Sequence, residues 1–143
     1  MELRLAVKKL RKGARLPEYA TDGAAGLDLY ACLDTPIELA AGGGVLVPSG
    51  VALAIPPGYV GLVRDRSSLA VQGLLTVAGV IDSDYRGEVL VAMRNAGAAA
   101  VSIQPDQRIA QMLLIPCPRA LVEELPELPP TTRGAGGFGS TGL

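Results

Sequence analysis

The sequence predicts an all-β domain, a sandwich or a barrel, and two observations lead there. Turn formers interrupt short apolar runs along most of the chain, with 18 Gly and 11 Pro in 143 residues. Such regular punctuation leaves strands rather than long helices. Inside the runs, apolar and polar residues alternate as they do on half-buried strands. A hydrophobic content of 49% against 19% charged residues describes a globular chain, long enough for one domain with a real core. A net charge of −1 offers no basic field to a nucleic acid. No apolar run approaches membrane-spanning length, and Met1-Glu2-Leu3-Arg4 lacks the layout of a signal peptide. Cys32 and Cys117 are therefore expected as two separate buried thiols in a cytoplasmic protein, not as a disulfide.

The elements follow in order. Leu3, Leu5 and Val7 alternate with polar neighbours and predict a first strand, followed by a polar loop from Leu10 to Ala20. Leu27-Asp28-Leu29-Tyr30 is strand-like, and its acid either faces solvent by alternation or is held near a cation. Ile37 to Leu39 and Val45 to Ile55 predict further strands, the latter broken by Pro48 and Gly50. Tyr59 to Val63 is a strand. In the stretch after it, Ser67 or Ser68 can cap the single short helix expected, with Gly73 closing it. Leu74 to Ile81 and Val89 to Met93 flank Asp82-Ser83-Asp84-Tyr85-Arg86-Gly87, which reads as a β-hairpin carrying Asp82 and Tyr85 near its tip, with Gly87 free to take a positive φ. Val101 to Ile103 and Arg108 to Ile115 complete the strands; Arg108 and Gln111 interrupt the apolar pattern either as edge residues or as donors to a ligand. From Leu121 the chain becomes an acidic, Pro-rich linker and then a Gly-rich tail. The expected division is a β core over 1–120 and a linker with a mobile arm over 121–143.

The residue inventory narrows the chemistry. Without a single His, Ser-His-Asp and Cys-His catalysis and histidine zinc sites are excluded, so acid–base work falls to carboxylates, Tyr or Lys. Beyond Lys12 every cation is Arg, the side chain shaped for bidentate phosphate contacts, although a general Arg bias would look the same. Arg66 with the hydroxyls and amides of Ser67 and Ser68 forms either an anion site or an ordinary capped turn. Phe138, the chain's one Phe, stands on a Gly-rich tail with Arg133, Ser140 and Thr141. A lone aromatic there suits stacking on a flat ligand when the tail closes, and bare glycine amides can cradle phosphates.

Five separated segments are together similar to one family. Ala25-Gly26-Leu27-Asp28-Leu29, Arg66-Ser67-Ser68-Leu69-Ala70, Gly79-Val80-Ile81-Asp82-Ser83-Asp84-Tyr85-Arg86-Gly87, Arg108-Ile109-Ala110-Gln111-Met112 and the run from Arg133 to Gly142 resemble, in order, the motifs of the trimeric deoxyuridine triphosphatases (dUTPases). The resemblance implies a distorted jelly roll of the β-clip type with at most one short helix. It implies a homotrimer whose sites each draw the first, second and fourth motifs from one subunit, the third from another and the arm from the remaining one. The implied reaction is Mg²⁺-dependent hydrolysis of dUTP to dUMP and pyrophosphate, which keeps uracil out of DNA and supplies dUMP for dTMP synthesis. Asp82 would activate the water that attacks the α-phosphorus and hold the ribose 3′-OH. Tyr85 would exclude a 2′-OH, and the backbone at Val80 and Ile81 would read uracil, with Leu90 as a further contact. Arg66, Ser67, Ser68 and Gln111 would hold phosphates, and Asp28 would meet Mg²⁺ through water. Phe138 would stack on the base, while Arg133, Gly139, Ser140 and Thr141 close over the γ-phosphate.

Two positions depart from the family pattern. Asp65 stands where Pro is common, and Thr76 where many bacterial members have an Asn that helps read uracil, which leaves the part of Thr76 in that readout open. The related dCTP deaminases share the fold and an Arg-Ser-Ser-x-Ala motif, but Val71 and Ile81-Asp82-Ser83-Asp84-Tyr85 do not follow their pattern. A third reading is a non-catalytic, nucleotide-binding regulatory module on the same fold.

Overall fold

The computed structural model describes residues 2–142. Among these residues, eleven strands and one helix make two larger sheets and a small ribbon. In chain order they are β1 (Ala6–Lys9), β2 (Glu18–Tyr19), β3 (Leu27–Tyr30), β4 (Ile37–Leu39), β5 (Gly44–Ala54), β6 (Tyr59–Asp65), α1 (Ser67–Ala70), β7 (Leu74–Thr76), β8 (Val80–Ile81), β9 (Glu88–Asn95), β10 (Val101–Ile103) and β11 (Arg108–Pro116). One sheet runs β1-β5-β9-β7 and the other β2-β3-β11-β6-β8, while β10 pairs with β4 alone; every pairing is antiparallel. No helix among the described residues is long and apolar enough to cross a membrane.

Alternation builds the core. Val89, Val91, Met93 and Asn95 are the buried members of β9, and Ile109, Ala110 and Met112 those of β11. All but Asn95 join Leu29, Val47, Val51, Leu53, Ile55 and Ile103 in one cluster fed by both sheets and the ribbon. Each buried Val, Leu, Ile or Met contributes about 1.5–3 kcal/mol by leaving water. The one buried amide in the cluster's neighbourhood is fully satisfied: Asn95 donates to the carbonyls of Leu39 and Ala99 and accepts from the Gly97 N–H. It thereby ties the turn after β9 to the β4–β10 ribbon.

Several expectations from the sequence need correction. The first strand starts at Ala6 rather than Leu3, because its partner β5 ends at Ala54, opposite Ala6. The polar loop after it contains the two-residue β2. Pro48 and Gly50 do not break β5; the register against β9 shifts between Pro48 and Ala52, and that bulge absorbs the missing proline N–H. Gly50 takes φ +72° there, where a Cβ would lie 2.8 Å from both Ala14 Cβ and Cys32 Sγ. Neither Ser67 nor Ser68 caps α1: Arg66 occupies the N-cap with no side-chain bond, while Gly73, at φ +94°, closes the turn by donating to the Ala70 carbonyl. Both thiols are free, but Cys117 is exposed and Cys32 only partly covered.

The largest correction concerns the expected hairpin, whose base holds, since β7 pairs antiparallel with β9, but whose tip does not. β8 pairs with β6 in the five-stranded sheet, whereas β9 pairs with β5 and β7 in the other. The segment from Asp82 to Gly87 is therefore a crossing between sheets rather than a hairpin tip. The turn chemistry itself holds, since the Tyr85 N–H donates to the Asp82 carbonyl at 3.2 Å.

Candidate active site

Strand register assembles the first cluster. In β11, Gln111 lies opposite Asp28 of β3 and Arg64 of β6, so this strand is central and edge exposure does not account for its polar residues. A bulge between Arg108 and Ala110 shifts the register against β3. Residues 108 and 111 would otherwise point to opposite faces; here both line one cavity of about 210 Å³ together with Ala20, Ala24, Gly26, Asp28, Arg66, Ser67 and Ser68. Gly26 makes room for the amide: a Cβ there would lie 2.6 Å from Gln111 Oε1. Gln111 Nε2 in turn donates to the Asp65 carbonyl at 2.9 Å, joining β11 to the residue before Arg66.

Asp28 is 8% exposed, and the cation-held reading is the correct one for it. Arg108 Nη1 donates to Oδ2 at 3.3 Å, and Arg66 Nε approaches Oδ1 at 4.0 Å. Arg66 Nη1 also donates to the Arg108 carbonyl at 3.3 Å. The carboxylate thus holds two guanidinium groups at the cavity wall, leaving a local excess of positive charge beside two exposed serine hydroxyls. Such a wall favours a polyanion. As a metal site it offers a single carboxylate, and no group of three or more His, Cys, Asp or Glu suited to a metal occurs among the described residues. That donor set fits a hydrated Mg²⁺ carried in on a polyphosphate and not one chelated by the protein alone.

The second cluster lies on the crossing segment. Val80, Ile81, Asp82, Tyr85, Glu88 and Leu90 line a separate cavity of about 150 Å³. Ala78 and Gly79 both take positive φ, +58° and +101°, and turn the chain so that Val63 N–H donates to the Gly79 carbonyl at 2.8 Å. A Cβ on Gly79 would meet Val63 O at 2.7 Å. β8 is then an edge strand, paired on the β6 side only, and its outer amide and carbonyl groups are free of the ladder. The Tyr85 hydroxyl donates to the Glu88 carbonyl at 2.8 Å. Gly87 does not use a positive φ; it is needed because a Cβ would fall 2.5 Å from the Tyr85 hydroxyl. Arg86 Nη1 donates to the Ser83 carbonyl at 2.6 Å and steadies the loop.

The remaining predicted residues lie apart from these clusters. Thr76 lines neither cavity. Its N–H donates to Asp65 Oδ1 at 2.6 Å and its hydroxyl bonds the same oxygen, so the two departures from the family pattern are partners. Arg133, Phe138, Gly139, Ser140 and Thr141 lie in a chain of tight turns, where Arg133 Nε donates to the Gly136 carbonyl at 2.7 Å. Phe138 is fully exposed at φ +52°. Among the described residues, the hydrogen bonds of residues 131–142 run within that segment. The sequence reading left out Glu88, which lines the second cavity, and weighed Arg108 as a donor without choosing it. The only hint of Arg108 was an arginine interrupting an apolar strand.

The dUTPase family model matches residues 12–142. The deoxyuridine 5′-triphosphate nucleotidohydrolase of Desulfotalea psychrophila is 52% identical over 131 residues, 90% of this chain and 87% of that protein. That of Anaeromyxobacter sp. (strain Fw109-5) is 50% identical over 146 residues, covering 96% and 98%. The structure of the Staphylococcus bacteriophage 80alpha dUTPase with dUPNHPP superposes with a TM-score of 0.91 at 27% identity, covering 98% of this chain and 99% of that one. With the sheets, both clusters and the match over nearly its whole length agreeing, the chain belongs to the dUTPase family.

Proposed function

We propose that this protein hydrolyses dUTP to dUMP and pyrophosphate in the cytoplasm, and that each active site is assembled from several copies of the chain. One observation carries the reading: the arginine–serine cavity and the Asp82–Tyr85 cavity share no lining residue, yet each holds half of what the reaction needs. A homotrimer that faces one copy's phosphate half with another's nucleoside half would complete the site. The tail of residues 131–143 would close it, Phe138 stacking on uracil and Arg133, Gly139, Ser140 and Thr141 covering the γ-phosphate.

The chemistry follows from the residues. Arg66, Ser67, Ser68 and Gln111 would bind the triphosphate, with Asp28 holding Arg66 in place. Mg²⁺ on the triphosphate, facing Asp28 through water, would neutralise phosphate charge. Asp82, exposed on its loop, would take a proton from water as the oxygen bonds to the α-phosphorus. The bond from that phosphorus to the bridging oxygen breaks, and pyrophosphate leaves. A carboxylate base suits a chain without His. The free outer edge of β8 would pair with uracil through the backbone of Val80 and Ile81, beside Leu90. Thr76 is occupied by Asp65, so base readout rests on that edge. The Tyr85 ring would leave no room for a 2′-OH. Closure would exclude water and align the attack.

Product analysis with dUTP, dCTP, UTP and dTTP, each with Mg²⁺ and with chelator, tests the reading. The expected result is dUMP and pyrophosphate from dUTP alone, abolished by chelator. Ammonia from dCTP would move the protein to the deaminase relatives, and dUTP binding without turnover would make it a regulatory module.

A further inference from the structure

We infer that Glu88 and Arg11 form a clamp that positions Tyr85, and that this pair sets the discrimination between deoxyribose and ribose. The inference rests on the reading of Tyr85 as the residue beneath the sugar.

The geometry is a closed set of bonds. β9 begins at Glu88 opposite the β5 bulge, where pairing passes from Pro48↔Leu90 to Ala52↔Glu88. Four residues of β5 span what two residues of β9 span, so the ladder is interrupted between these two pairs. The Glu88 carboxylate bridges the interruption: Oε2 accepts the Gly50 N–H at 2.8 Å. Arg11 Nη2 then sits between both carboxylate oxygens, 2.7 Å from each. Arg11 is itself tethered, because the neighbouring Leu10 N–H donates to the Gly50 carbonyl at 2.8 Å. The other end of Glu88, its carbonyl, accepts the Tyr85 hydroxyl at 2.8 Å.

The position of the Tyr85 ring is thus set by the main chain at Glu88, and that main chain by a carboxylate that Gly50 and Arg11, which line neither site cavity, hold in place. Gly87 leaves the ring no slack on its near side, with only hydrogen where a Cβ would lie 2.7 Å from Tyr85 Cζ. Discrimination by steric exclusion depends on the wall staying put to a fraction of an ångström, since one added hydroxyl is a small difference for a loose pocket to reject. The salt bridge itself is half exposed, Arg11 46% and Glu88 20%, so its direct part in global stability is small.

Steady-state kinetics of the full-length protein on dUTP and UTP test this, with the wild type, Arg11→Ala, Glu88→Gln and Glu88→Ala side by side. Arg11→Ala removes a surface side chain and keeps the protein folded if Glu88→Ala does not. The expected result is a fall of about tenfold or more in the ratio of kcat/KM for dUTP over UTP in Arg11→Ala and Glu88→Ala, with UTP gaining, and a smaller fall in Glu88→Gln, which still accepts the Gly50 N–H. In Arg11→Ala, whose side chain lines neither site cavity, the kcat for dUTP should change by less than about threefold, since Asp82 is not part of the clamp. Parallel losses for both nucleotides, or an unchanged ratio in Arg11→Ala, would overturn the clamp while leaving the Tyr85 reading intact. A wild-type protein that turns over UTP as readily as dUTP would overturn the Tyr85 reading and the clamp with it.

Discussion

Gly26→Ala adds one methyl group to the wall of the arginine–serine cavity. Its Cβ would lie 2.6 Å from Gln111 Oε1, 2.9 Å from Gln111 Cβ and 3.1 Å from Cδ. A swing of the amide relieves the first and third contacts but not the second, because Gln111 Cβ is fixed to β11 by pairing on both sides. The amide then leaves the Asp65 carbonyl, to which it donates at 2.9 Å. That lost bond is worth about 1 kcal/mol, and the residual overlap adds about 1–2 kcal/mol. A total of about 2–3 kcal/mol corresponds to roughly 5–10 °C in melting temperature for a chain of this size. Because Gln111 also lines the cavity, kcat/KM for dUTP should fall by about 10–100-fold if Gln111 holds a phosphate as proposed, through misplacement of that donor. Thermal melts and pyrophosphate release measure the two effects. In a Gln111→Ala background, which removes two of the three contacts, Gly26→Ala should cost at least about 0.5 kcal/mol less than in the wild type. Wild-type melting and wild-type kcat/KM in Gly26→Ala would refute this account of the pocket.

Other expected outcomes follow from single contacts. Thr76→Val removes the hydroxyl bonded to Asp65 and should cost about 1 kcal/mol in denaturant unfolding. It should leave the preference for dUTP over dCTP unchanged, and a collapse of that preference would show that Thr76 reads the base. A chain ending at Pro130 should unfold within about 0.5 kcal/mol of the full length but lose about 100-fold or more in kcat/KM for dUTP. Tyr30 donates to Glu18 at 2.5 Å, and burial, then that bond and the Glu18 charge, raise its pKa above 10.0. The folded state therefore holds this proton more tightly than the unfolded one. The resulting stability is complete below pH 10.0 and is lost as pH rises through the raised value. Melting temperature against pH should fall less steeply on the alkaline side in Tyr30→Phe.

What the sequence made legible was local. The ends of β4 and β10, the short helix and the buried alternation of β9 could be read from neighbouring residues, because pattern and turn chemistry act over a few positions. Asp28 could not be resolved that way, since its two partners come from residues 66 and 108 and meet it only through the register of three strands. The crossing at Asp82–Gly87 looked like a hairpin because turn residues specify a reversal and not which strands pair afterwards. Gly87 was noticed for the wrong physical reason: it accommodates the Tyr85 hydroxyl and not a positive φ. Glu88 was missed because an acid at the start of a strand usually faces water, and its partners Arg11 and Gly50 lie far away in sequence. The tail was conspicuous by composition, but its hydrogen bonds among the described residues stay within it, so no local contact says what it would close over.

The central claim, that one copy supplies the phosphate half and another the nucleoside half, is tested most directly by complementation. Arg66→Ala and Asp82→Asn, each expected to be nearly inactive alone, would be co-expressed with different tags, the mixed assemblies isolated, and pyrophosphate release from dUTP measured. If sites form between neighbouring copies in a closed ring of three, about one third of those in trimers that hold both variants combine an intact Arg66 with an intact Asp82, and a comparable fraction of wild-type activity returns. If each site lies within one chain, no mixture holds an intact site and activity stays at the level of the single variants; that result would contradict the account.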